Sequence, residues 1–168
     1  MAEATARTRD EAPEPLRASL CWLLSRANHN LTTELTAGLE TLGLSPRAHQ
    51  VLQAAMCGER TQIELARMVC LDKTTMVVVI DELEAAGLAE RRPSATDRRA
   101  RVITVTQAGR RKADEADEII AGIQRDVLAA LPARDREVLL DSLAELVSER
   151  LCEPVATAQP VRRRASRR

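Results

Sequence analysis

The stretch TQIELARMVCLDKTTMVVVIDELEAAGLAERRPSATDRRARVITVT, residues 61–106, decides how this chain folds. Thr61 with Glu64 three residues on is a capping-box pattern, in which hydroxyl and carboxylate each satisfy a backbone N–H left unpaired at a helix start. A short helix follows, for which Ile63, Leu65, Ala66, Met68 and Val69 are expected to supply the buried side. Asp72 is placed to cap a second helix, Lys73 to Ala86, closed by Gly87. Within it, Val77, Val78, Val79 and Ile80 form a β-branched run that propensity alone assigns to a strand. The flanks outweigh that preference: an Asp cap, then Met76, Val79 or Ile80, Leu83 and Ala86 at helical spacing, then glycine, describe about four helical turns.

After Gly87 the character changes. Leu88 to Arg92 and Arg101 to Val105 read as the strands of a β-hairpin, with Pro93 to Ala100 as a long basic tip. The second strand is expected to alternate, with Arg101, Ile103 and threonine outward. Helix, tight turn, helix, hairpin is the order of a winged helix-turn-helix, although two such helices could also belong to the core of a bundle. In the winged arrangement the second helix fits the major groove of DNA, and the hairpin reaches the phosphates or the minor groove beside it. With Met76, Val79, Ile80 and Leu83 packed inward, Lys73, Thr74, Thr75 and Val78 are the side chains left to meet base edges and phosphates.

Arg91, Arg92, Arg98, Arg99 and Arg101 crowd the hairpin. In Asp97-Arg98-Arg99-Ala100-Arg101 the acid can hold a neighbouring guanidinium in place, and an arginine so presented suits a narrow, electronegative minor groove. An isolated charge run is ordinarily a solvated loop; next to a helix-turn-helix it reads as a DNA contact. Arg92, Asp97, Arg98, Arg99 and Arg101 therefore join the four helix residues as the expected DNA-binding set.

Outward from this core, Ser45-Pro46 is an N-cap followed by proline at the first helical position, and Ala48, Val51, Leu52, Ala55 and Met56 form the stripe of a helix ending near Gly58. Before it, Leu20, Leu23, Leu24, Ala27, Leu31, Leu35, Leu39 and Leu42 recur every three or four residues, predicting one long helix from Leu16 that Gly43 stops. Thr106 starts a further helix that runs to about Leu131, Pro132 breaks it, and a last one spans about Arg134 to Leu151. The expected fold is mainly α with a small β-hairpin wing. Its organisation would be a disordered arm (1–14), N-terminal dimerisation and support helices (15–57), a winged DNA-binding lobe (58–106), C-terminal dimerisation helices (107–151) and a disordered basic tail (152–168). The apolar stripes at 16–42 and 119–151 exceed what one small winged lobe can cover, which predicts burial against a second subunit.

Composition narrows the function. The 168 residues allow one ordinary domain and carry no formal net charge, so any case for a polyanionic partner rests on local charge. Trp22 is the only Phe, Tyr or Trp residue, which argues against a stacking platform for single-stranded nucleic acid. Cys21, Cys57, Cys70 and Cys152 are widely spaced and follow no signal-peptide pattern, so reduced thiols and a cytoplasmic location are expected. No apolar run approaches the roughly 20 residues of a membrane span. His29 and His49 are not spaced as a ligand pair, no Ser-His-Asp set or glycine-rich phosphate loop is visible, and neither a metal, a cofactor nor an enzymatic activity is expected.

Leu65-Ala66-Arg67, Leu83-Glu84-Ala85-Ala86-Gly87-Leu88, Arg91-Arg92, the Asp97-Arg98-Arg99 tip and Val105-Thr106 with Gly109 together resemble the multiple-antibiotic-resistance regulator (MarR) family over about residues 16–151. The resemblance implies a homodimer with interlocked terminal helices, two winged lobes on pseudo-palindromic double-stranded DNA, and a regulator, expected to be a repressor, released by a small amphipathic or aromatic effector. Arg99 matches the family's minor-groove arginine, Asp97 its orienting acid, and Lys73 to Thr75 the groove-facing start of the recognition helix. Val78 stands where many relatives carry a polar or basic side chain, reducing readout there to apolar contact with a thymine methyl. For the effector, Trp22, Ser25, His29, His49 and Met56 are the candidate pocket residues, between dimer helices and winged lobe. Cys21 resembles the peroxide-sensing cysteine of the family's organic-hydroperoxide branch, with similar spacing to Leu42-Gly43-Leu44 and Ser45-Pro46. That branch uses tyrosines, and here Ser25 and Leu35 stand in their places. A redox switch at Cys21, and a winged domain used for protein contacts alone, are the alternatives.

Overall fold

The computed structural model describes residues 12–95, 97 and 100–155. The expected disordered arm and basic tail fall mostly outside them, as do Thr96, Arg98 and Arg99 of the hairpin tip. The elements are α1 (Glu14–Arg17), α2 (Leu20–Leu39), a 3-10 turn (Glu40–Leu42), α3 (Pro46–Met56), α4 (Gln62–Met68), α5 (Lys73–Ala85), β1 (Ala89–Pro93), β2 (Arg101–Val105), α6 (Gln107–Leu128) and α7 (Ala133–Ser148). Up to Gln124 the described residues form one compact unit, and from Arg125 on a second.

The helix expected to run unbroken from Leu16 is interrupted at Ala18-Ser19. Ser19 is extended and its hydroxyl oxygen accepts from the Trp22 amide at 3.4 Å, so it starts a new helix rather than continuing the old one. At the far end the chain tightens into the 3-10 turn and leaves it through Gly43, whose φ of 61° is the left-handed conformation glycine adopts freely. Ser45 then caps α3 by accepting from the Ala48 amide at 3.1 Å.

The core of the first unit joins α3, α4, α5, the hairpin and the first half of α6. Val51, Leu52, Leu65, Met76, Ile80, Leu83, Ile103, Val105, Ala113 and Ala116 are buried in one cluster with Leu39 and Leu44. The short α4 contributes less than its sequence suggested. Leu65 is buried and Ala66 and Val69 pack partly against the cluster, but Ile63 and Met68 are 61% and 52% exposed. Seven residues make barely two turns, and only a narrow face of so short a helix meets its neighbours.

β1 and β2 pair antiparallel, with Ala89 opposite Val105 and Pro93 opposite Arg101. The expected outward position of Ile103 is wrong: Val102, Ile103 and Val105 are all buried. Ile103 and Val105 join the core, while the outer edge of β2 is taken by the segment before α4. There the Ile103 amide donates to the Arg60 carbonyl at 3.0 Å, and Thr61 bridges to Val102.

In the second unit Pro132 separates α6 from α7, as expected of a residue without an amide N–H. α7 buries none of its residues, and Val138, Leu139, Leu140, Leu146 and Val147 are exposed.

Candidate nucleic-acid interface

Two helix caps and two helix ends fix the position of α5. Thr61 and Glu64 form the reciprocal capping box on α4, with the Thr61 amide donating to the Glu64 carboxylate at 2.7 Å. These bonds from the Thr61 amide and then its hydroxyl hold the Glu64 pKa below its ordinary value. α4 ends in a Schellman motif: the Leu71 amide donates to Ala66 O at 2.9 Å and the Cys70 amide to Arg67 O at 3.3 Å. Cys70 sits at the left-handed position with φ 54°, where a glycine is usual. Two residues later Asp72 accepts from the Thr75 amide at 2.9 Å and the Thr75 hydroxyl at 2.7 Å, which lower its pKa in that order.

α5 ends in a second Schellman motif at Gly87, φ 67°, with the Leu88 amide on Leu83 O and the Gly87 amide on Glu84 O, both at 2.9 Å. Thr106 clamps this end to the start of α6. Its hydroxyl donates to Gly87 O at 2.8 Å, its amide donates to Leu88 O at 3.0 Å, and its Oγ1 accepts from the Gly109 amide at 3.0 Å. The approach is so close that a Cβ on Gly109 would stand 2.0 Å from the Leu88 carbonyl oxygen. The Thr106 and Gly109 positions singled out in the sequence thus have a mechanical reason.

Met76, Val79, Ile80 and Leu83 face inward as expected, and Lys73, Thr74 and Val78 are exposed on α5. Thr75 is half-buried, with its hydroxyl engaged by Asp72. On the hairpin, successive residues point to opposite faces, which separates Arg91 from Arg92. Arg91 turns to α5, where its guanidinium is paired with Glu84 and lies 2.7 Å from Asp81 Oδ1, and its amide donates to Glu84 Oε1 at 2.8 Å. One of the five hairpin arginines is therefore a structural tie. Arg92 is exposed beside Glu90 at 2.5 Å, and Arg101 is exposed.

The base of the hairpin tip is organised by Glu59, a residue no local pattern in the sequence marks. Its Oε2 accepts from the buried Ser94 hydroxyl at 3.0 Å and the Ala95 amide at 3.3 Å. The Asp97 amide donates to Ser94 Oγ at 3.4 Å, and the Asp97 carbonyl accepts from the Ala100 amide at 2.9 Å. Arg98 and Arg99 lie outside the described residues.

The candidate pocket residues are not brought together within one chain. Met56 lines a hollow of about 430 Å³ with Glu59, Arg92, Pro93, Val102 and Arg110. His49 is buried elsewhere, with Nε2 at 2.8 Å from Asp117 Oδ1, whose other carboxylate oxygen accepts from Gln53 Nε2 at 2.6 Å. That network joins α3 to α6. Ser25 and His29 are exposed on α2, and Trp22 is half-buried with the Arg26 guanidinium 5.5 Å from its ring centroid. Cys21 is exposed in the first turn of α2, and Cys57, Cys70 and Cys152 are exposed too. Among the described residues no cluster of His, Cys, Asp and Glu could hold a metal ion, and no helix is long and apolar enough to cross a membrane.

A family model described as the MarR family matches residues 42–100, the span from the turn before α3 through the hairpin tip. Solved structures of the same fold extend the likeness along the chain. A transcriptional repressor, CouR, bound to a 23-mer DNA duplex is 29% identical, with a TM-score of 0.71 over 80% of this chain and 96% of that one. Over residues 42–100 the chain is similar to the MarR family of transcriptional regulators, and its fold is theirs. CouR from Rhodococcus jostii RHA1 bound to p-coumaroyl-CoA is 27% identical over 80% of this chain and 95% of that one, with a TM-score of 0.70. A Mycobacterium tuberculosis MarR family protein in complex with p-aminosalicylic acid is 29% identical over 77% and 98%, with a TM-score of 0.66. In this winged-helix fold α4 and α5 form the helix-turn-helix and β1–β2 the wing.

Proposed function

We propose that this chain is a MarR-type, cytoplasmic homodimeric repressor that binds pseudo-palindromic duplex DNA and is released by a small amphipathic or aromatic effector. α5 enters the major groove with Lys73, Thr74, Thr75 and Val78, and the wing approaches the minor groove with Arg92, Arg98, Arg99 and Arg101, Asp97 orienting an arginine. The observation that carries the reading is the exposed first two turns of α5, capped by Asp72 and braced by a wing docked through Arg91. CouR, similar over most of the chain, was solved on a DNA duplex, and its complex with p-coumaroyl-CoA supports release by an effector. Residues 107–151 with the N-terminal helices supply the dimer contacts. The exposed leucines and valines of α2 and α7 are the surface a second copy would cover.

The test is a mobility shift on the DNA upstream of the chain's own gene across a salt series. Binding should weaken steeply with salt, and Arg99→Ala should lower both affinity and salt slope. Unchanged values for Arg99→Ala refute the minor-groove contact. Absence of duplex binding at low salt refutes DNA reading in favour of protein contacts alone. The exposure of Cys21 beside Trp22 favours a thiol switch as a second route of release; a Cys21→Ser protein that answers peroxide as the parent does removes it.

A further inference from the structure

We propose that α5 reads its site through thymine methyl groups, with Val78 as the specificity-determining contact. The inference rests on α5 entering the major groove and adds what the helix recognises there. Between Lys73 and Ala85 there is no Arg, Asn or Gln, the side chains whose forked donors and acceptors read guanine and adenine edges. Beyond Ile80 the exposed surface turns acidic with Asp81 and Glu82, which phosphates repel; Arg91 compensates Asp81 and Glu84 from the wing. Contact is thereby confined to residues 73–78.

Within that span the Thr75 hydroxyl already donates to Asp72, leaving the Lys73 ammonium and the Thr74 hydroxyl as hydrogen-bonding groups. Val78, four residues from Thr74 and on the same face, is 50% exposed while Met76, Val79 and Ile80 beside it are buried. A single exposed valine is ordinary on a protein surface. Here it closes the exposed face that α5 presents with Lys73 and Thr74. In the major groove the methyl group is carried by thymine, at C5, so an isopropyl group presented there discriminates thymine from the other bases by apolar contact. Specificity at Val78 then lies in the placement of a methyl group, next to what the Lys73 ammonium and the Thr74 hydroxyl read by hydrogen bonds.

The probe is the duplex selected by the full-length protein from a pool of random 30-bp DNA. Each thymine is replaced in turn by deoxyuridine, which removes only the major-groove methyl, and affinity is read by fluorescence anisotropy. At one thymine per half-site the replacement should weaken binding about fourfold, the effect of one buried methyl group. In Val78→Ala, whose helix content is checked by circular dichroism, the thymine duplex should bind at the level of the uracil duplex and the replacement should have no further effect. Replacement that is neutral at every thymine, or equally costly in Val78→Ala, overturns the role of Val78 while leaving groove binding intact. Failure to enrich or bind any duplex overturns the groove reading itself, and this inference with it.

Discussion

Replacing Gly109 by alanine adds one methyl group at the point where α6 leaves the end of α5. In an ordinary helix the exchange would stabilise, since glycine is about 1 kcal/mol less favourable than alanine. Here the new carbon would lie 2.0 Å from the Leu88 carbonyl oxygen, 2.9 Å from its carbon and 2.8 Å from Val105 Cγ1. Backbone atoms cannot rotate away, so α6 must retreat by about 1 Å or more to restore ordinary contact distances. Overpacking of this kind costs about 1–3 kcal/mol. The retreat also stretches the Thr106 bonds to Gly87 and Leu88, each worth about 1 kcal/mol. Net of the helix gain, Gly109→Ala should destabilise by about 2–4 kcal/mol, a large part of a typical domain's stability. The assay is urea unfolding followed by far-ultraviolet circular dichroism at fixed protein concentration. Ala121→Gly, at an exposed position in the middle of α6, is the control and should cost about 1 kcal/mol. A Gly109→Ala protein as stable as the parent, or more so, refutes the close-approach argument.

The caps that position α5 predict acid sensitivity. Glu64 and Asp72 have lowered pKa values when folded, so their contribution is fully present above the unfolded carboxylate values near about 4 and is lost as pH falls through the folded ones. Asp72→Asn should flatten the acid limb of stability against pH, and an unchanged limb would show that the Thr75 bonds do not carry it. Arg91→Met should loosen the wing and destabilise by about 1–3 kcal/mol, because Glu84 loses a charged partner. Arg92→Ala should leave unfolding unchanged within about 0.5 kcal/mol and lower the salt slope of DNA binding; the reverse pattern in the two variants would overturn the assignment of faces. Cys70→Gly should gain up to about 1 kcal/mol from the left-handed site, whereas a loss on thermal unfolding would mean that the side chain contributes more than its backbone conformation costs.

What could be read from the sequence was local. The capping box at Thr61, the Asp72 cap, the proline after Ser45 and the glycines at 43 and 87 act within one turn of chain, so their spacing alone carries them. The β-branched run at 77–80 was resolved by its flanks for the same reason. Ile63 and Met68 were misplaced because helical periodicity reports which face could be buried, not how much neighbour is available to bury it. Ile103 shares its face of β2 with Val105, and which of the two faces meets the core is set by α3, α5 and α6, not by the strand's own pattern. Glu59, which shapes the base of the wing tip from 35 residues away in sequence, had no local signature at all. Arg91 is the exception, because strand alternation alone separates it from Arg92.

The same long-range contacts bear on how α5 could be moved. α6 is held against α2 where a Cβ on Gly38 would come within 2.6 Å of Ile123, against α3 by the bonds of His49 and Gln53 to Asp117, and against the end of α5 by Thr106 and Gly109. The contact at Gly109 is the tightest of the three, because it brings helix backbone onto a backbone carbonyl; the one at Gly38 meets the end of the Ile123 side chain, and the one at Asp117 is a buried imidazole on a carboxylate. A displacement of the start of α6 therefore either breaks the Thr106 and Gly109 contact or carries Gly87 and Leu88 with it. Because Leu88 closes the Schellman motif on α5 and leads into β1, such a displacement acts on the end of α5 and on the hairpin together. An effector that shifts α6 thus needs no contact with α5 to change what the helix presents to DNA, and Thr106→Val, which removes the hydroxyl clamp at nearly constant shape, should uncouple the two while leaving the first turns of α5 capped.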